Sequence, residues 1–280
     1  MLNPSSFIKK LSVFLIIYLT AYLISPSASA QVFNSSVSAA TGGTGRGAVE
    51  GGDATFLNPA TLVHFRGRHL FGSVGSSDFA ASLSDNTTES TIPAAFSYLQ
   101  EKHDVAGDSL RLHDFVLTFA EFIAEKVTLG VNAHYYDEKL VNSQKSYLEI
   151  NGDVGLEYTP TDYLGLGVVA YNFTGERTNV PADIRQSSTF GGGVNYIYHK
   201  IMRLRLDLTS QSTAMAGVES FMNQWLILRG GYSNQWETGR ELITFGLGFE
   251  GPKFAINYAY QGNPRISGDY RHSIDLQFPF

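Results

Sequence analysis

Six side chains that alternation places on polar strand faces are candidates for acid–base chemistry: His134, Asp153, Glu157, Asp207, Glu250 and Asp275. Each alternates with apolar neighbours, so each shares a strand face with other polar groups. A catalytic group needs a partner within hydrogen-bond reach, and no Ser–His or Asp–His signature of a hydrolase surrounds them. The alternative is structural. Arg203, Arg205 and Arg229 lie close in sequence to Asp207, Glu219 and Glu250, and can pair with them across a solvated interior. A charge network of Arg203, Arg205, Asp207, Arg229 and Glu250 is therefore expected, rather than an enzyme. The seven histidines, at 64, 69, 103, 113, 134, 199 and 272, lack metal-ligand spacing, and the chain contains no cysteine. No metal site and no cofactor are expected. Gly42-Gly43-Thr44-Gly45-Arg46-Gly47 resembles a phosphate loop only in glycine content, because it has neither GxGxxG nor GxxxxGK[ST] spacing and follows no strand.

The elements that position these residues begin after a secretory signal. Lys9 and Lys10 precede the apolar run Leu11–Ile24, and Ala28-Ser29-Ala30 offers a cleavage site before Gln31. About 14 apolar-rich residues fall short of the ~20 a spanning helix needs. Losing Lys9 and Lys10 leaves 18 basic against 26 acidic residues, a net charge of −8. That balance argues against nucleic acid as a partner. From Arg68 onward the chain is a series of alternating segments. Val127, Leu129, Val131, Ala133 and Tyr135 oppose Thr128, Asn132 and His134, and Met202, Leu204, Leu206 and Leu208 oppose Arg203, Arg205 and Asp207. In the final stretch Ile274, Leu276, Phe278 and Phe280 share one face, opposite Ser273, Asp275, Gln277 and Pro279. Alternation of this kind over about ten residues is the signature of a transmembrane barrel.

The closing segment resembles the last strand of outer-membrane barrels, in which a C-terminal Phe is read by the barrel-assembly machinery. That resemblance implies that Ile274, Leu276, Phe278 and Phe280 form an assembly signal, although Pro279 cannot donate to a sheet ladder. The segment Gln31–Phe65 does not alternate. It holds Gly42, Gly43, Gly45, Gly47, Gly51, Gly52 and Asp53, then Asn58-Pro59-Ala60 before the first strand. This order resembles the N-terminal hatch of two barrel families, the FadL-like long-chain fatty-acid transporters (OmpP1) and the PorV-type barrels of type IX secretion. Both commonly carry Gly where this chain has Thr61. Trp225–Tyr232, Phe245–Phe249, Ile256–Tyr260 and Arg271–Ile274 also look like successive strands of those families.

The expected architecture is an all-β, antiparallel transmembrane barrel of about fourteen strands, or twelve if Asp78–Ser84 is not a strand. The signal covers 1–30, the hatch 31–66 and the barrel 67–280. Tight connections are expected at Ala124–Lys126, Thr159–Asp162, His199–Lys200, Met222–Gln224 and Gly251–Pro252. Longer external ones are expected at Gln100–Leu110, Asp137–Tyr147, Thr174–Ser187, Asn234–Arg240 and Gln261–Asp269. This arrangement puts Phe280 in the periplasm. Tyr135, Tyr158, Tyr163, Tyr196, Tyr198, Trp225, Tyr232, Tyr258 and Tyr260 read as interfacial girdles, while Val169, Tyr171 and Ile197 either line a greasy path or pack on the hatch. The resemblance implies a bacterial outer-membrane protein embedded in outer-membrane lipid. Two non-enzymatic roles follow: a passive channel for small hydrophobic molecules, or a PorV-like barrel that binds or hands over secreted proteins.

Overall fold

The computed structural model describes residues 33–105, 107–175, 180–181 and 184–280. The expected signal segment lies outside them. Fourteen strands run in chain order: β1 Gly67–Gly75, β2 Asp78–Asn86, β3 Ala94–Val105, β4 Asp108–Ala124, β5 Val127–Leu140, β6 Lys145–Thr161, β7 Leu164–Tyr171, β8 Thr189–Tyr198, β9 Met202–Thr209, β10 Thr213–Phe221, β11 Leu226–Gln235, β12 Arg240–Glu250, β13 Ala255–Gly262 and β14 Tyr270–Pro279. Each pairs antiparallel with its sequence neighbours, and β1 pairs with β14 to close the barrel. Closure leaves no open edge, as a bilayer demands of a spanning sheet.

The alternation decides which face each side chain takes. On β9, Leu204, Leu206 and Leu208 are exposed outward while Arg205 and Asp207 are buried inward; the contrast is 60% exposure at Leu206 against 1% at Arg205. Val131 and Tyr135 point outward on β5, where Thr128, Asn132 and His134 are buried. An outer band of this apolarity is suited to lipid rather than water. The segment Asp78–Asn86 is a full strand, so the count is fourteen and not twelve.

Pro279 causes no broken ladder. Phe280 donates its N–H to the Arg68 carbonyl, so the intervening Pro279 nitrogen faces β13, whose pairing with β14 has already ended at Ala255↔Gln277. Two external loops, within Gln100–Leu110 and Asp137–Tyr147, are shorter than expected. Strand pairing continues through them, Val105↔Asp108 closing β3–β4 and Leu140↔Lys145 closing β5–β6. The polar residues read as loop there are the two faces of strands that outrun the membrane: β4 and β6 each have 17 residues, against the ~9–11 needed to cross.

The lumen is filled by the segment preceding β1. It contains a short helix, α1, Ser36–Ala40, and a 3-10 helix, Pro59–His64. Asn58 caps the latter by accepting from the Ala60 N–H at 3.1 Å, with Pro59 in the first turn, where a missing N–H costs nothing. Thr61 donates its hydroxyl to the Asn58 carbonyl at 2.9 Å. The packing is apolar on one side, where Phe33 and Phe56 meet Phe71, Ala80, Leu99 and Val116 of β1–β4. A second apolar cluster joins Ala54, Leu62 and Val63 to Ala95 and Ala120.

Candidate functional site: the filled lumen

The opposite wall, β9 to β12, is charged. Glu219 on β10 stands directly across from Arg203 on β9 and Arg229 on β11, so register alone puts three charges in one row. The Glu219 carboxylate accepts from Arg229 Nε at 2.8 Å and from Arg205 and Arg203, and Arg229 also donates to Asn257 at 2.8 Å. Glu250 sits at the margin, 3.5 Å from Arg229 and half exposed. The hatch enters this network through Glu50, whose carboxylate meets Arg203 and Arg205. Arg205 and Glu219 are each 1% exposed, and mutual charge compensation is what makes their burial tolerable.

Asp207 is not part of that network. Its Oδ2 accepts from the backbone N–H groups of Gly45 and Arg46 at 3.0 and 2.9 Å, and from the Arg46 guanidinium at 3.0 Å. The expected Arg203–Asp207 grouping is therefore corrected: Asp207 clamps the hatch, while Glu219 is the hub for the arginines. Arg46 and Glu50 went unnoticed as hatch contacts because both partners lie about 150–170 positions away. Only the cross-strand row Arg203–Glu219–Arg229 carried a sequence-level signal.

Close backbone approach explains the glycines. Gly42 meets the Tyr232 backbone, and the Gly42 amide lies against Gly231 of β11; a Cβ on Gly231 would stand 2.3 Å from that nitrogen. Gly47 lies against Gly165 and Gly193 of β7 and β8 in the same manner. Gly43 and Gly45 continue the strap beside Met215 and Leu57, and Gly51 and Gly52 abut Phe65 and Phe71. Asp53 ties the strap to the start of α1, accepting from the Ser35 N–H at 3.0 Å. Burial pushes the Asp53 carboxyl up to about 7, and the Ser35 hydrogen bond pulls the other way. Tyr171 donates to the Leu57 carbonyl at 2.6 Å and lies under Arg46, so it packs on the hatch rather than lining a free path.

Of the acid–base candidates, His134 and Asp153 come together, a histidine–carboxylate pairing not read from the sequence, and the others are dispersed over the wall. His134 lies between Asp114 at 2.9 Å and Asp153 at 2.8 Å, an arrangement satisfied by the doubly protonated ring, and stacks on Tyr136. Glu157 is 3.3 Å from His64, which is in the hatch. Asp275 holds α1, accepting from the Ser36 hydroxyl at 2.8 Å and from the Ser36 N–H. Among the described residues, no group of three or more His, Asp and Glu is placed to hold a metal ion.

Two cavities flank α1. An inner one of about 290 Å³ is bounded by Val37, Glu50, Phe65, Phe254, Asn257 and Asp275. An outer one of about 150 Å³ is bounded by Asn34, Gly43, Met215, Gln261 and Arg271. Along β13, Asn257 lines the inner cavity and Gln261 the outer, and Ala259 between them packs against Ala39 and Ala40.

A fourteen-stranded barrel with its lumen filled by an N-terminal segment has solved counterparts. The toluene transporter TodX of Pseudomonas putida is 14% identical, with a TM-score of 0.66 over 91% of this chain and 100% of that one. A FadL homologue of Pseudomonas aeruginosa is 10% identical, with a TM-score of 0.67 over 89% and 99% of the two chains. This is a FadL-like fold. The toluene transporter TbuX of Ralstonia pickettii, 15% identical, shares it with a TM-score of 0.65 over 88% and 98% of the chains. No protein-family model and no curated protein sequence matches the chain. At these identities the FadL-like architecture is common to all four proteins, and the hatch contacts above belong to this chain.

Proposed function

We propose that this protein is an outer-membrane channel that admits small hydrophobic molecules passively, with α1 as its gate. The observation that carries this reading is the pair of cavities that follow one another along β13, with α1 packed on Ala259 between them. The similar solved structures are described as toluene transporters and a FadL homologue, and the inner cavity is large enough for a solute of monoaromatic size. The wall holds α1 through neutral donors and one carboxylate: Ser36 donates to Asp275 and Ser273, Thr244 to the Ala40 carbonyl at 2.9 Å and Gln261 to the Ala39 carbonyl at 3.3 Å. The remaining strap is clamped by ion pairs through Asp207 and the arginines, whereas α1 is held without one. Solute then descends its gradient and no energy source is needed.

The Ser36 and Ser273 hydroxyls lie 2.9 Å apart in a chain with no cysteine. A Ser36→Cys, Ser273→Cys variant should therefore form one disulfide that locks α1 to β14. Toluene entry into proteoliposomes should fall to that of protein-free vesicles on oxidation and recover on reduction. Wild-type flux no greater than that of empty vesicles would remove the channel reading, and equal flux before and after oxidation would remove α1 as its gate. The PorV-type alternative has no specific observation in its favour: among the external connections only 172–188 and 263–269 exceed four residues.

A further inference from the structure

The register of β3, β4 and β5 sets Lys102 directly opposite Arg111, and Arg111 directly opposite Lys139. All three are exposed and alternate with inward-facing Glu101, Leu112 and Glu138, so they form one outward row of three cations. Like charges directly opposite in a sheet repel, and this row has no internal remedy. The acids on the same face are Asp104, one row above, and Asp137, one row below, which accepts from Ser146 at 3.2 Å. Among the described residues none of the three cations forms an ion pair, whereas Arg240 and Arg265, elsewhere on the external side, pair with Asp269 and Glu241.

The height of the row indicates what neutralises it. The ring row Tyr98, Phe115 and Tyr135, with centroids 5.1 and 6.3 Å apart, lies two rows below and marks the membrane interface. Four residues at ~3.3 Å each along strands tilted ~40° raise the cations about 10 Å above those rings. That is headgroup depth. The wall is also braced there, because Val180 and Ile184 of the β7–β8 connection pack on Leu110 inside the barrel, with Val105, Leu140 and Tyr147 alongside.

We infer that Lys102, Arg111 and Lys139 form a binding site for the phosphates of an outer-leaflet lipid headgroup. A phosphorylated headgroup supplies anionic oxygens at the right depth, and an arginine flanked by two lysines can take them as one fork and two point charges. The inference rests on the proposed outer-membrane placement, with β3–β4 at the cell surface, and not on the channel role.

The test uses full-length protein in phosphatidylcholine vesicles with or without one tenth diphosphorylated lipid A, reading the temperature at which the barrel loses its heat-modifiable band. The phosphorylated lipid should raise that temperature by several degrees for the wild type. In the Lys102→Gln, Arg111→Gln, Lys139→Gln variant the rise should vanish, while its stability in plain phosphatidylcholine should equal or exceed the wild type's because repulsion is relieved. Arg111→Gln alone should lose most of the rise and serves if the triple variant assembles poorly. Fully dephosphorylated lipid A should have no effect. An equal rise in wild type and variants, or an undiminished rise with dephosphorylated lipid, would overturn the site. A full rise with inorganic phosphate alone would overturn the lipid as its occupant. Toluene flux plays no part in this readout, so loss of the channel reading leaves it standing.

Discussion

Arg205 shows how one residue can hold two parts of the molecule together. It reaches Glu219 of the wall and Glu50 of the hatch from a position almost wholly removed from solvent. Removing it takes one of three arginines from Glu219 and one of two from Glu50, so the cost should stay below the ~3–5 kcal/mol of a fully broken buried pair. Arg205→Ala should lower the barrel's unfolding free energy in urea by more than ~1 kcal/mol, whereas Arg265→Ala, at an exposed pair, should change it by no more than that. A similar fall for both would mean that the arginine row holds nothing. A second residue-scale test separates hatch from barrel. A Cβ on Gly167 would overlap the Arg46 carbonyl oxygen, so Gly167→Ala should leave the barrel heat-modifiable while exposing 41–52 to protease. Unchanged protection would show that strap and β7 do not meet.

At the scale of elements, each strand has two solvents. Leu206 lies beside Arg205 in the chain but faces lipid, and a lysine there costs ~2–4 kcal/mol at the membrane midplane. Leu206→Lys should cut the yield of folded barrel in vesicles, with Leu208→Lys, on the same face near the strand end, milder. Equal yields would reverse the facing of β9. The strands were legible from alternation because a bilayer enforces period two with little tolerance. The lengths of β3 to β6 were not, since above the interface the outward face turns polar while the inward face mixes Glu101 and Glu138 with Leu110 and Leu112, and a strand without clean alternation reads like a loop.

For the whole molecule the question is what the filling does. Residues 41–52 supply both Arg46 and Glu50, so deleting Thr41–Gly52 should open the lumen and raise the admission of small polar probes into proteoliposomes above that of the full-length protein. Identical, negligible leakage from both would mean that another part of the hatch seals the barrel. The sequence by itself determined the antiparallel barrel, the facing of its side chains and the glycine-rich segment ahead of it, because these depend on local period and composition. Tertiary structure alone decided that Asp207 serves Arg46, that Glu219 gathers three arginines and that Lys102, Arg111 and Lys139 stand in line. Those contacts arise from strand register and from a chain threaded back through its own lumen, and both join residues whose separation in sequence carries no periodic mark.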